Sequence, residues 1–196
     1  MLKVGLTGNI GSGKTTISKV FKMLDVAVYH ADDEAKKFID ENSTRKRLLA
    51  TFGKSILGAD GKIDRKLLSD IVFSDNKALN RINAIIHPKV ADHFKDWTSK
   101  HQNDPYILQE AAIIFESGFD QLFDYVILIT APLELRIKRV SKRDAVTRND
   151  IILRDQKQWN DDRKSKLADY IIYNDEMQLV IPQVISIHEE LIKKAK

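Results

Sequence analysis

Cysteine is absent from the 196 residues. That excludes disulfides, a thiolate metal site and a cysteine nucleophile, and it suits a reducing, cytoplasmic setting. Aromatic residues make up only 8% of the chain and are scattered, so they outline no stacking platform for a nucleic acid. No apolar run approaches the roughly 20 residues that span a bilayer. The first apolar stretch runs straight into a glycine-rich loop, so neither a membrane segment nor a signal peptide is expected. No large excess of one charge exists either: 32 Lys and Arg stand against 28 Asp and Glu, a net +4. Acidic residues accompany the basic ones along most of the chain, the pattern of a solvated surface on a protein that handles small anions, and no nucleic-acid partner is expected. HExxH and Cys/His clusters are missing, which argues against a structural zinc. With 43% hydrophobic and 31% charged residues, the length suits one α/β core with a modest insertion.

Glycine is sparse as well, 8 in all, yet three glycines fall within residues 8–15, GNIGSGKT. Gly8, Gly11 and Gly13, followed by Lys14 and Thr15, satisfy the spacing G-x-x-x-x-G-K-[ST]. A bare turn does not need this set. Val4 and Leu6 precede it as an apolar strand, and Ile17, Val20, Phe21 and Leu24 follow at helical spacing. Glycines let the backbone curl so that successive N–H groups face a phosphate at a helix N-terminus. Gly11, Ser12, Gly13, Lys14, Thr15 and Thr16 are therefore the candidate nucleotide-binding residues, with Lys14 reaching the outer phosphates and the Thr15 hydroxyl available to Mg²⁺.

Strands are expected near 2–7, 26–30, 105–113, 125–131 and 169–174, with a helix near 14–24. Interleaved helices predict a five-stranded parallel sheet flanked on both faces, in a single α/β domain of the phosphate-loop NTPase type. Its core takes about 1–31, 102–131 and 168–196. The excursion over about 32–101 reads as a helical substrate-binding region, broken near GKSILGADGKID and at Pro88; the charged stretch over about 132–167 reads as a lid with a turn near RDAVTRND. The last stretch predicts an amphipathic helix in which Met177, Val180, Ile181, Val184, His188 and Leu191 share a face.

Several polar residues stand where ligands bind in such sheets, beyond strand carboxyl ends. Asp32 could accept the proton of an attacking hydroxyl, or cap a helix beginning at Asp33. Glu110 and Glu116 are both candidates for Mg²⁺ or its waters, Glu110 being otherwise a strand-end carboxylate facing solvent. Leu133, Ile137 and Val140 form one stripe of a helix, and Arg136, Arg139 and Arg143 recur along another face. Those guanidiniums fit the clamping of a transferring phosphoryl group, or simply a solvated basic face. Arg148 and Arg154 follow beyond the turn. His87, before Pro88, is either a helix-end residue or a substrate contact. A GTP-dependent switch is disfavoured: the one Asn-Lys pair, Asn76-Lys77, lacks the aspartate of N-K-x-D, and D-x-x-G does not occur.

Taken in order, VGLTGNIGSGKTT, YHADDEAKK, GADGKIDRKLLSDIVFSD, INAIIHP, AIIFESG before DYVILITAP, IKRVSKRD and LADYIIYND resemble the dephospho-CoA kinase family over nearly the whole chain. The resemblance implies transfer of a phosphoryl group from ATP, with Mg²⁺, to the ribose 3′-hydroxyl of dephospho-CoA, by a monomer or weak homo-oligomer. It places Asp32 as the activating aspartate, Lys14, Arg139 and Arg143 beside it as catalytic, and Asn174 near adenine. It assigns the 32–101 region partly to the acceptor; His87 and Glu116 stand as candidate substrate contacts. The family often reads Asp-Ala-Asp where this chain has His30-Ala31-Asp32, which leaves the role of residue 30 open. It also often reads P-L-L-F-E where this chain has Ala112 to Glu116. A kinase for another nucleoside or nucleotide is the alternative, and a regulatory nucleotide-binding protein a more distant one.

Overall fold

The apolar runs form strands and the periodic segments form helices in the computed structural model, which describes residues 1–144 and 146–196, the side chains of Phe73, Ser74 and Asn76 excepted. In chain order the elements are β1 (Leu2–Thr7), α1 (Lys14–Met23), β2 (Ala27–His30), α2 (Ala31–Ile39), α3 (Asn42–Phe52), α4 (Arg65–Ser74), α5 (Asn76–Ser99), β3 (Tyr106–Glu110), β4 (Tyr125–Thr130), α6 (Leu133–Asp144), α7 (Arg148–Asp155), α8 (Asp161–Ser165), β5 (Tyr170–Tyr173) and α9 (Val180–Lys194). They fall into two compact units, residues 1–30 with 101–196, and residues 31–100.

The first unit is built on a five-stranded sheet in the order β2-β3-β1-β4-β5. Every pairing is parallel. Parallel neighbours need crossovers, and within this unit α1, α8 and α9 pack on the strands. Val4, Leu6, Ile107, Leu108, Ile127 and Leu128 are fully buried, as the central strands of a parallel sheet covered on both faces are. Because all strands run the same way, Thr7, His30, Glu110, Thr130 and Tyr173 end at one edge. From β1 the chain runs to β2 on one side of it, and from β3 it crosses β1 to β4 on the other, so strand order reverses beside β1, the place where open α/β sheets bind ligands.

The third strand stops at Glu110, short of the expected residue 113. Beyond it the chain turns, with Ser117 N donating to the Ile113 carbonyl at 3.2 Å. That turn packs Ile114 over β1, where a Cβ on Gly5 would lie 2.8 Å from Ile114 Cδ1. The last helix also differs from expectation. It begins at Val180; Met177 and Ile181 are exposed, and the buried face is Val184, Ile187 and Leu191. The Asp175 carboxylate accepts from Met177 N and Gln178 N (both 2.9 Å), and this local turn holds Met177 outside the helix. His188 sits at the edge of the buried face, its Nδ1 2.7 Å from the Tyr106 hydroxyl.

In the second unit, α5 packs against α2, α3 and α4. Pro88 does not break it: the helix runs unbroken from Asn76 to Ser99. An interior proline costs about 3 kcal/mol or more. Burial of Ile85, Ile86, Val90 and Phe94 along the same helix outweighs that cost. The expected break at 53–64 is present as a 3-10 turn at Gly53–Ile56 and a bridge between Leu57 and Ile63, after which Asp64 caps α4. The turn foreseen near 143–150 includes Ala145, outside the described residues. Among the described residues no helix is long and apolar enough to cross a membrane.

Ile127 sits at the centre of β4 with no exposure. Ile127→Ala is expected to lower unfolding free energy by about 2–5 kcal/mol, read as a shift of the urea midpoint at unchanged slope.

Candidate active site

The phosphate loop joins β1 to α1. Gly11 (φ 79°) and Gly13 (φ 101°) take left-handed conformations that other residues adopt only with strain. Ser12 N donates to the Asn9 carbonyl (3.0 Å), which tightens the curl. Helix α1 starts at Lys14, so its N-terminal amides and positive dipole end open onto the loop. Lys14 Nζ donates to the Gly8 carbonyl at 2.8 Å, folding the ammonium back over the loop. Thr16 lies on the exposed side of the first turn.

Beside the loop, the edge of the sheet gathers polar groups around Glu110. This carboxylate is 7% exposed, so it is not a solvent-facing strand end. Thr15 Oγ1 donates to its Oε1 at 3.1 Å, and Ser18 Oγ donates to its Oε2 at 3.0 Å. His30 Nδ1 lies 2.6 Å from the same Oε2, the two residues being register partners across β2 and β3. Nδ1 carries the hydrogen when Glu110 is ionised. Ser18 was missed in the sequence, although it stands one helical turn after Thr15 and so on the same face of α1. A hydroxyl and a carboxylate at this separation are hard oxygen donors. Mg²⁺ takes one or two such protein oxygens and completes its shell with phosphate oxygens and water. The donor set therefore fits that ion.

The arginines do not share a single fate. Arg136 is buried; its Nε donates to the Ala131 carbonyl and its Nη1 pairs with Asp155. It braces the fold and does not extend a basic face. Leu133, expected in the buried stripe, is 39% exposed, while Ile137 and Val140 are buried. Arg139 Nη2 donates to the Asn174 carbonyl at 3.1 Å, and its Nη1 is buried with no hydrogen-bond partner among the described residues. Asn174 Nδ2 in turn donates to the Ser12 carbonyl at 2.7 Å, so Arg139 and Asn174 both connect to the loop. Arg143 is exposed and paired with Asp144, and Arg148 with Glu134.

Glu116, expected to touch substrate, is turned inward. Its Oε1 accepts from Trp159 N at 2.9 Å and lies 2.8 Å from Nζ of the fully buried Lys164. In the second unit, α2 begins at Ala31, so Asp32 stands inside its first turn and not at the cap. Asp32 is exposed, and neighbouring Asp33 pairs with Lys36 at 2.8 Å. His87 lies within α5, and burial pushes its pKa below the ordinary value.

The family model of dephospho-CoA kinase matches residues 2–179. The chain belongs to the dephospho-CoA kinase family. It is 35% identical to the dephospho-CoA kinase of Bacteroides fragilis strain YCH46, over 98% of this chain and 94% of that one. Its fold is similar to that of a dephospho-CoA kinase from Campylobacter jejuni, with a TM-score of 0.69 at 28% identity, covering 99% of this chain and 98% of the other. The similarity to TT1252 from Thermus thermophilus is closer in shape, with a TM-score of 0.85 at 26% identity over 100% and 98%.

One buried charge in this dephospho-CoA kinase family member has no settled partner. Asp161 opens α8, and its Oδ1 is buried without a hydrogen-bond partner among the described residues. Burial raises its pKa above the usual 3.8, against the opposing pull of Arg136 and Lys164. A raised pKa means the folded state disfavours the carboxylate, so the charge subtracts stability at neutral pH. Asp161→Asn is expected to melt higher than the parent at pH 7. That advantage should shrink as pH falls through the folded-state pKa and vanish below the unfolded value, as thermal melts across pH 3–8 will show.

Proposed function

We propose that the chain transfers the terminal phosphoryl group of ATP to the ribose 3′-hydroxyl of dephospho-CoA, giving coenzyme A and ADP. The observation that carries this reading is the Thr15–Glu110 pair beside the glycine loop, in a chain of this family. A new bond forms between the hydroxyl oxygen and the γ-phosphorus, the bond to the β–γ bridging oxygen breaks, and ADP leaves with that electron pair. Such a transfer asks for positioning and neutralisation of charge more than for covalent chemistry.

Each demand has a residue in this proposal. Backbone amides from Gly11 to Thr16 cradle the phosphates, and Lys14 exchanges the Gly8 carbonyl for the outer phosphate oxygens. Thr15 and Glu110 would hold Mg²⁺, which would supply neutralisation of the phosphate charge. Ser18 and His30 fix the Glu110 carboxylate so that Oε1 stays toward Thr15. Arg139, with a free Nη1, meets charge that builds up on the transferring group, joined by Arg143 once it leaves Asp144. Asn174 keeps the loop next to the adenine side. Asp32, two residues beyond β2 in the chain, takes the proton of the acceptor hydroxyl. The helical second unit, with His87, contributes to binding the acceptor.

The deciding assay is ADP release with dephospho-CoA beside a panel of nucleosides and nucleotides; preference for another acceptor overturns the reading. Lys14→Ala is expected to lose nearly all turnover while melting like the parent, since its ammonium folds back over the loop to the Gly8 carbonyl. Asp32→Asn retains shape and loses the base. It is expected to bind both substrates, melt within a degree or so of the parent, and turn over at least about 10²-fold more slowly. Asp33→Asn should be mild. If Asp32→Asn keeps its rate, the hydroxyl is activated by position alone and Asp32 is not the base.

A further inference from the structure

The segment from Asp155, the last residue of α7, to Trp159 ahead of α8 is marked by no motif. In the fold it lies against the first half of the phosphate loop. Asn9, 1% exposed, donates from Nδ2 to Asp155 Oδ1 (3.2 Å) and to the Trp159 carbonyl (3.1 Å). Ile10 N donates to Gln158 Oε1 at 2.8 Å. The Ile10 carbonyl accepts from Arg136 Nη1 at 3.4 Å, and the same guanidinium pairs with Asp155. Both loop residues before Gly11 are thus tied to one segment by side-chain amides, a carbonyl and a buried ion pair.

Gln158 does more than close the loop. Its Nε2 donates to the Ala112 carbonyl at 3.3 Å. That carbonyl also accepts from Thr7 Oγ1 at 3.3 Å, and Ala112 stands two residues past Glu110. One amide therefore connects the loop that faces the phosphates to the turn that follows the cation-holding carboxylate. A primary amide meets both demands, because its oxygen accepts while its nitrogen donates.

We propose that Gln158 is a positioning residue for nucleotide binding: it engages the Ile10 amide and pins the loop to the chain after β3, so that the amides from Gly11 onward stay aimed at the phosphates. The Ile10 N–H is withheld from ligand and used as an anchor. A loop with two left-handed glycines is intrinsically loose, and the anchor limits the conformations it must lose when a nucleotide binds. This inference rests on reading the loop as a nucleotide site, and it does not depend on which acceptor is phosphorylated.

Gln158→Met keeps the length of the side chain and removes both hydrogen bonds. With ATP and Mg²⁺ and no acceptor, its Kd for ATP is expected to weaken about tenfold, the scale of one lost hydrogen bond that orders a binding loop. In turnover the KM for ATP should rise in parallel, with kcat and the KM for dephospho-CoA near parent values. Hydrogen exchange of the Ile10 amide should accelerate at least about tenfold, while the β1 and β4 amides at Leu6 and Ile127 keep parent protection. An unchanged Kd for ATP overturns the proposal. So does a loss of binding in which Leu6 and Ile127 lose protection along with Ile10, since that marks general destabilisation. A fall in kcat with the Kd for ATP unchanged also rejects it. Failure of the acceptor reading would appear elsewhere, as a parent protein that binds ATP and prefers another acceptor.

Discussion

Between Gly8 and the carbonyl of Ile129 there is no room for a methyl group: a Cβ on Gly8 would lie 2.5 Å from that oxygen. The same holds at Gly11, 2.6 Å from the Arg136 carbonyl, and at Gly13, 2.3 Å from Asn174 Nδ2. The loop is packed against backbone on one side and an asparagine amide on the other. This closeness sets where α6 can begin, why Asn174 can reach the Ser12 carbonyl, and which way α1 presents its N-terminus. Substitution at any of the three glycines would push apart elements that are distant in sequence.

The second dependence is the burial of Glu110. A carboxylate at 7% exposure needs hydrogen-bond partners, and it has three in Thr15, Ser18 and His30. They come from α1 and β2, the two elements that flank β3 in the crossover pattern. The parallel sheet makes this convergence possible, because it brings every strand's carboxyl end to one edge. A partly satisfied carboxylate there would be destabilising, and its three donors avoid that cost.

Further from the loop, two ion pairs are drawn inside: Arg136 with Asp155, and Lys164 with Glu116. Buried pairs of this kind give up hydration for attraction and add little net stability. Their effect is to fix geometry. Each ties the segment after α6 to the sheet side of the fold, and removing one partner alone would leave a buried charge. Both pairs were invisible in the linear chain. Arg136 looked like the first of three equivalent arginines on a helix face, and Glu116 like a contact for Mg²⁺ or substrate. Helical spacing places side chains on a face, but the surroundings of that face depend on residues about 20 to 50 positions away in sequence.

Local rules made most of the fold legible. Continuous apolar runs mark the strands of a parallel sheet because both their faces are covered, and the glycine spacing marks the loop because its curl needs φ values that glycine alone tolerates cheaply. Those signals are carried by neighbours in the chain, so the five strands, the helix after the loop and the loop itself could be read directly. What tertiary structure decided was everything set by a distant partner. Pro88 is kept inside α5 by the apolar residues around it, against its own local preference. Met177 is excluded from α9 by the Asp175 turn, and Ile187 replaces it in the buried face. Thr15 meets Glu110 across 95 residues of chain, and Ile10 meets Gln158 across 148. A residue type and its spacing determine what it is able to do; which hydrogen bond or ion pair it makes is settled only when packing removes water and leaves one partner within reach.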